Sequence, residues 1–294
     1  MLVAVGLAAA AVSAQRPGRP RPAVAPPADE PAASEYATVA ERITPQHINR
    51  VRFMELRAAR EVDRGPDRIE ADHVTVRIPQ DVAESFLNSR VGATGFKGEA
   101  ARRRFLTLPP PQKLAVIAYW VRDTEDEWNY ADQIEVQKDP DVMVEFRRRV
   151  QPVIINNCAT AACHGNADVT ESRMRLYNDP RRSETNTYAN FLTLREWSVG
   201  GMPLLNHDRP ADSLLLSYML KRDLTRHPHP QSRGFRAMLL HEGSTQQRAI
   251  ETWIGSLRRL QPTRWYGFHL LPAFAATSAP GSEDDALPPP REAP

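Results

Sequence analysis

Apolar positions recur at helical spacing in several stretches of the 294-residue chain. In residues 43–60 (ITPQHINRVRFMELRAAR), Ile48, Val51, Met54 and Leu56 make an approximate helical stripe. Thr44 stands as its N-cap and Pro45 in its first turn. Residues 73–79 (HVTVRIP) alternate and predict a short strand. Residues 81–88 predict a helical turn ending near Gly92, and QKLAVIAYWV at 112–121 a compact apolar helix after three prolines. Asp139-Pro140 caps a helix over DVMVEFRRRV, after which Pro152 restarts the chain in PVIINNC. Beyond that, RMRLY (173–177) predicts one short strand, 187–197 a helix, and LLLSYMLKR after Asp212-Ser213 another. The clearest late helix is 244–258, with Ile250, Trp253, Ile254 and Leu257 on one face. The pattern predicts a mainly α protein with long irregular loops, and no internal repeat.

The ends read differently. Residues 1–14 (MLVAVGLAAAAVSA) carry no charge and are too short to span a bilayer. They fit the apolar region of a secretory signal with a small-residue cleavage site at 12–14; a basic start is missing, so either the start lies upstream or the signal is atypical. A buried N-terminal helix is the competing reading. Residues 15–35 are a proline-rich linker and 272–294 a disordered tail of similar composition. The organisation expected between them is a helical N-terminal region of unknown role, 36–138, and a second domain, 139–271.

Composition narrows the function classes. Apolar residues make 41% and charged residues 25%, enough for a packed core and unlike a disordered chain. Thirty-eight Lys and Arg against 36 Asp and Glu leave a net charge of +2, which argues against a nucleic-acid binder. A mean hydropathy of -0.50 argues against a polytopic membrane protein, so no stable membrane span is expected after signal removal. The acidic run 123–127 and the arginine runs 102–104 and 147–149 read as solvated faces. No serine–histidine–aspartate elbow, phosphate-binding loop or dinucleotide fingerprint is present. The two cysteines, Cys158 and Cys163, exclude a multi-disulfide scaffold and a four-cysteine zinc module.

Those cysteines carry the candidate chemistry. Cys158-Ala-Thr-Ala-Ala-Cys163-His164 sets a histidine directly after the second thiol. The usual haem attachment motif has two residues between its cysteines. In it each thiol adds to one porphyrin vinyl group and the histidine becomes the proximal iron ligand. Here four residues intervene; Ala159, Ala161 and Ala162 are small enough for the excess to loop out. Three other readings stand beside haem: a Cys158–Cys163 disulfide, a zinc site using Cys158, Cys163 and His164, or two unrelated buried thiols.

The stretch VQPVIINNCATAACHG (150–165) resembles the haem-attachment segment of planctomycete-type cytochrome c domains. The resemblance continues in Arg209-Pro-Ala-Asp-Ser-Leu-Leu-Leu216, in the loop His227-Pro-His229-Pro, and in Trp253-Ile254 of the last helix, covering about 146–258. It implies a helical cytochrome c-like domain preceded by a helical N-terminal extension. It also implies one covalent haem c held by Cys158 and Cys163, His164 as proximal ligand, and a sixth ligand from the loop after the leucines. His227 or His229 takes that place, one of the two, because an extended chain points them to opposite sides. Met202, in a Gly-Met-Pro turn like the methionine loop of small soluble cytochromes c, is the alternative. Trp253 could pack on the porphyrin. The implied role is an exported electron carrier, periplasmic or extracellular, rather than a catalyst, with a redox partner protein. A haem enzyme or gas sensor with a labile distal ligand and a haem-free secreted binding protein remain the alternatives.

Overall fold

The computed structural model describes residues 43–56, 74–93, 95–165, 174–178, 183–230, 235–260 and 265–268. The signal, linker and tail expectations lie outside these residues. The described chain is mainly helical, with two small two-stranded sheets. Helix α1 (Pro45–Met54) starts where the sequence places it. The Thr44 side chain accepts from the His47 amide, and His47 returns the bond, a reciprocal cap. Strand β1 is shorter than expected, Val76–Arg77 alone, paired antiparallel with β2 (Glu135–Val136). Between them come α2 (Gln80–Ser89), α3 (Gly98–Thr107), α4 (Pro110–Val121) and α5 (Glu127–Gln133). Helices α3 and α5 have no clear apolar stripe and were not legible; α3 buries only Phe105.

Asn49 ties this part together. Its Nδ2 donates to the Ala131 and Ile134 carbonyls, each at 2.7 Å, and its Oδ1 accepts from the Val136 amide at 2.7 Å. One side chain thus satisfies three backbone groups where α5 gives way to β2.

Pro152 does not restart the chain. Helix α6 (Asp141–Glu145) passes through one π-helical turn (Phe146–Val150) into α7 (Gln151–Asn157). Proline has no N–H and its ring crowds the carbonyl four residues back; a wider turn ahead of it accommodates both defects. Residues 174–178 are extended without ladder pairing, where the sequence predicted a strand. Helix α8 (Glu184–Glu196) is capped by Ser183, and β3 (Ser198–Val199) with β4 (Met202–Pro203) forms a tight hairpin through Gly200 and Gly201, both at positive φ. Helix α9 (Leu214–Met219) and the late helix α10 (Thr245–Ser256, capped by Ser244) complete the fold. None of the described helices is long and apolar enough to cross a membrane.

One hydrophobic core runs through the expected boundary at 138. Trp253 of α10 stacks on Phe146, with centroids 5.2 Å apart, and donates to the Val142 carbonyl at 3.1 Å. Below it lies an ionic centre. Arg195 of α8, fully buried, bonds Glu55, the Tyr266 hydroxyl and the Arg258 carbonyl. Tyr266 donates to Glu55 at 2.6 Å, and Arg258 pairs with Glu127. Residues from both expected domains therefore share one set of buried charges.

Candidate functional site

Helix α7 delivers the first cysteine. Cys158 is its C-cap, with its amide donating to Ile154 O at 2.8 Å. The next residues fold into consecutive tight turns. The amides of Cys163 and Gly165 both donate to Thr160 O, at 2.9 and 3.0 Å, and the His164 amide returns to Cys158 O at 3.0 Å. Ala159 is fully buried at the base of this loop, while Ala161 and Ala162 are exposed at its tip. The four-residue gap is thus taken up by an outward loop that brings the two ends back together. Gly165 makes the close approach possible: a Cβ there would stand 2.8 Å from Thr160 O and nearer still to the Ala159 carbonyl.

The extended segment 174–178 fixes the histidine. Leu176 N donates to His164 O at 2.8 Å, and the ring Nδ1 of His164 lies 3.0 Å from Met174 O. A carbonyl only accepts, so Nδ1 carries the proton and Nε2 the lone pair. Burial lowers the pKa of His164, the Met174 carbonyl opposes this, and His229 adds to the lowering. Burial, with Cys163 nearby, pushes Cys158 up to about 12, so it stays a protonated thiol at neutral pH. The two thiols are not joined.

Cys158, Cys163, His164 and His229 line one cleft, walled mainly by Ile154, Leu176, Leu194, Leu204, Leu215 and Met219. It holds about 540 Å³ of space between its walls, part of it open to solvent. The imidazoles of His164 and His229 face each other with centroids 6.0 Å apart and planes at 74°. In His229 the Nδ1 lies 2.7 Å from Pro230 O, which again leaves the lone pair of the neutral ring on Nε2.

The structure separates the other candidates. His227 is exposed and turns into a different groove, which it shares with Met202. Neither lines the cleft of the cysteines. Trp253 also stays out of it, packed on Phe146 and Phe191. His207, outside the cleft, is half-buried. Among the described residues no three His, Cys, Asp or Glu side chains form a group able to hold a metal ion by themselves, which gives the zinc reading no support.

Three contributors escaped the sequence: the Met174 carbonyl and the rings of Tyr218 and Phe235, which pack on His229. No motif marks them. Comparison with family models, with curated proteins and with solved structures finds no match to this chain.

Proposed function

We propose that the chain is an exported c-type cytochrome-like protein that holds one haem covalently and passes single electrons to and from a redox partner protein. The observation that carries this reading is the meeting of Cys158, Cys163, His164 and His229 in one apolar cleft. The resemblance of residues 146–258 to planctomycete-type cytochrome c domains points the same way.

The donor set suits the group. Each thiol would add across one vinyl double bond, sulfur to one carbon and hydrogen to the other, so attachment needs no oxidant. His164 and His229 both line the cleft, and the Nδ1 contacts leave the Nε2 atom of each neutral ring as the one that could bind iron. The two imidazoles lie close enough, with centroids 6.0 Å apart, for the same group to reach both. Bound there, a haem supplies one reversible electron through its iron, at a lower potential than with a methionine ligand. With His164 and His229 both holding the iron, no place would be left for a substrate, which favours electron transfer over catalysis. The walls around the group would be mainly apolar, and covalent attachment would retain it outside the cell.

The test is the pyridine haemochrome spectrum and intact denatured mass of the full chain exported from a host with a cytochrome c maturation system. A c-type α-band and a mass gain of one haem are expected. A colourless protein two protons lighter than the reduced chain would establish the Cys158–Cys163 disulfide and remove the electron-transfer reading.

A further inference from the structure

We infer that Phe235 is a positioning residue that sets the plane of the His229 imidazole and holds it nearly perpendicular to that of His164. The inference rests on the haem ligation proposed above.

His229 stands between Pro228 and Pro230. Prolines fix their own backbone φ but leave the rotamer of the histidine between them unset. The ring's orientation comes from its Nδ1 contact with Pro230 O, at 2.7 Å, and from its neighbours. Phe235 lies flat on it, with centroids 4.5 Å apart and planes within 7°. Tyr218 meets it edge-on at 5.1 Å. Arg222 donates through Nη1 to the His229 carbonyl at 2.9 Å and so holds the backbone, not the ring.

The stacking partner is itself anchored. The segment after Phe235 returns to α9, where the amides of Met238 and Leu239 both donate to Met219 O at 2.9 Å. The His164 plane is fixed independently by the Met174 carbonyl. Separate supports for each ring thus produce the 74° between them. Both Phe235 and Tyr218 line the cleft.

The angle has an electronic consequence. An axial imidazole mixes its π orbital with the iron d orbital that lies across its ring plane. Parallel rings act on the same d orbital and split the pair. Perpendicular rings act on one each and leave the pair nearly degenerate. In low-spin ferric iron the split pair gives a well-resolved rhombic paramagnetic resonance signal, and the near-degenerate pair a strongly anisotropic one with a single large g value. The role of Phe235 is therefore readable without any measurement of turnover, as expected of a group supporting a ligand from behind.

The experiment compares low-temperature paramagnetic resonance spectra of the oxidised, haem-loaded full chain in wild type, Phe235→Leu, Phe235→Tyr and His229→Ala, with circular dichroism to establish folding. The anisotropic signal is expected in wild type and in Phe235→Tyr, which keeps the flat ring. In Phe235→Leu it should shift or spread toward the rhombic form. His229→Ala should lose the bis-imidazole signal. A Phe235→Leu spectrum identical to wild type, or a rhombic wild-type signal, overturns the inference and leaves the haem reading standing. An unchanged His229→Ala spectrum overturns it by placing the sixth ligand elsewhere. A chain that takes up no haem at all removes the reading on which the inference depends.

Discussion

A half-buried histidine outside the cleft gives the clearest titration. Burial pushes the His207 pKa down to about 4, and the charge of Arg195 adds to the effect against the opposing Glu55. The native ring stays neutral where the unfolded one, titrating near 6.5, takes up a proton. Between those values the unfolded state binds more protons, so stability must fall as pH drops through 6.5 toward 4. The loss between pH 6.5 and 5 is about 2 kcal/mol at 1.4 kcal/mol per unit. Urea unfolding of the haem-free chain at pH 7, 6.5, 5.5 and 5 measures this. His207→Asn, which does not titrate, should flatten that slope; an equal slope in the variant would show that other groups carry it.

Helices α1 and α10 announced themselves through caps and apolar spacing, because packing one stripe of a helix leaves a period in the sequence. Helix α4 was legible from its apolar run after three prolines, while α8, buried at every position from Thr187 to Arg195, carries no single stripe. Pro152 misled because a π-helical turn absorbs it, and no local residue marks such a turn. Segment 174–178 misled in the opposite sense: its apolar residues face the cleft rather than a partner strand. The cysteine loop lay between these cases. The spacing singled out its cysteines and His164, but that His229 lines their cleft while His227 turns into another groove needed the fold, since both occupy the same proline-rich loop. Gly165 shows how narrowly that loop is built. Gly165→Ala would set a methyl 2.6 Å from the Ala159 carbonyl carbon, with backbone on every near side. Overpacking of this kind costs roughly 1–3 kcal/mol. The expected result is several-fold less covalent haem in the exported protein, scored by the ratio of haemochrome absorbance to protein mass. Wild-type loading would show that the loop relaxes freely.

At the scale of the molecule, the described residues up to 138 are joined to the cleft-bearing part by charge as well as by packing. Glu55 ends α1, yet its carboxylate meets Arg195 on α8, Tyr266, and the Arg258 amide at 3.1 Å. Leu194, the neighbour of Arg195, lines the cleft itself. Removing one partner of a buried ion pair leaves the other charge without compensation, which costs about 3–5 kcal/mol, whereas replacing both with apolar groups is often neutral. Glu55→Ala should therefore lower the urea midpoint far more than the double change Glu55→Leu, Arg195→Met. It should do so in one transition, because the core offers no seam at which half the chain could unfold alone. A fragment of residues 139–294 tests the same coupling from the other side. It lacks Glu55, Asp123 and Glu127, so Arg195 and Arg258 lose their carboxylates. That fragment should lack cooperative unfolding by circular dichroism and load little haem. A fragment that folds and takes up haem as the full chain does would make the N-terminal region a separate domain and leave the buried charges without a structural role.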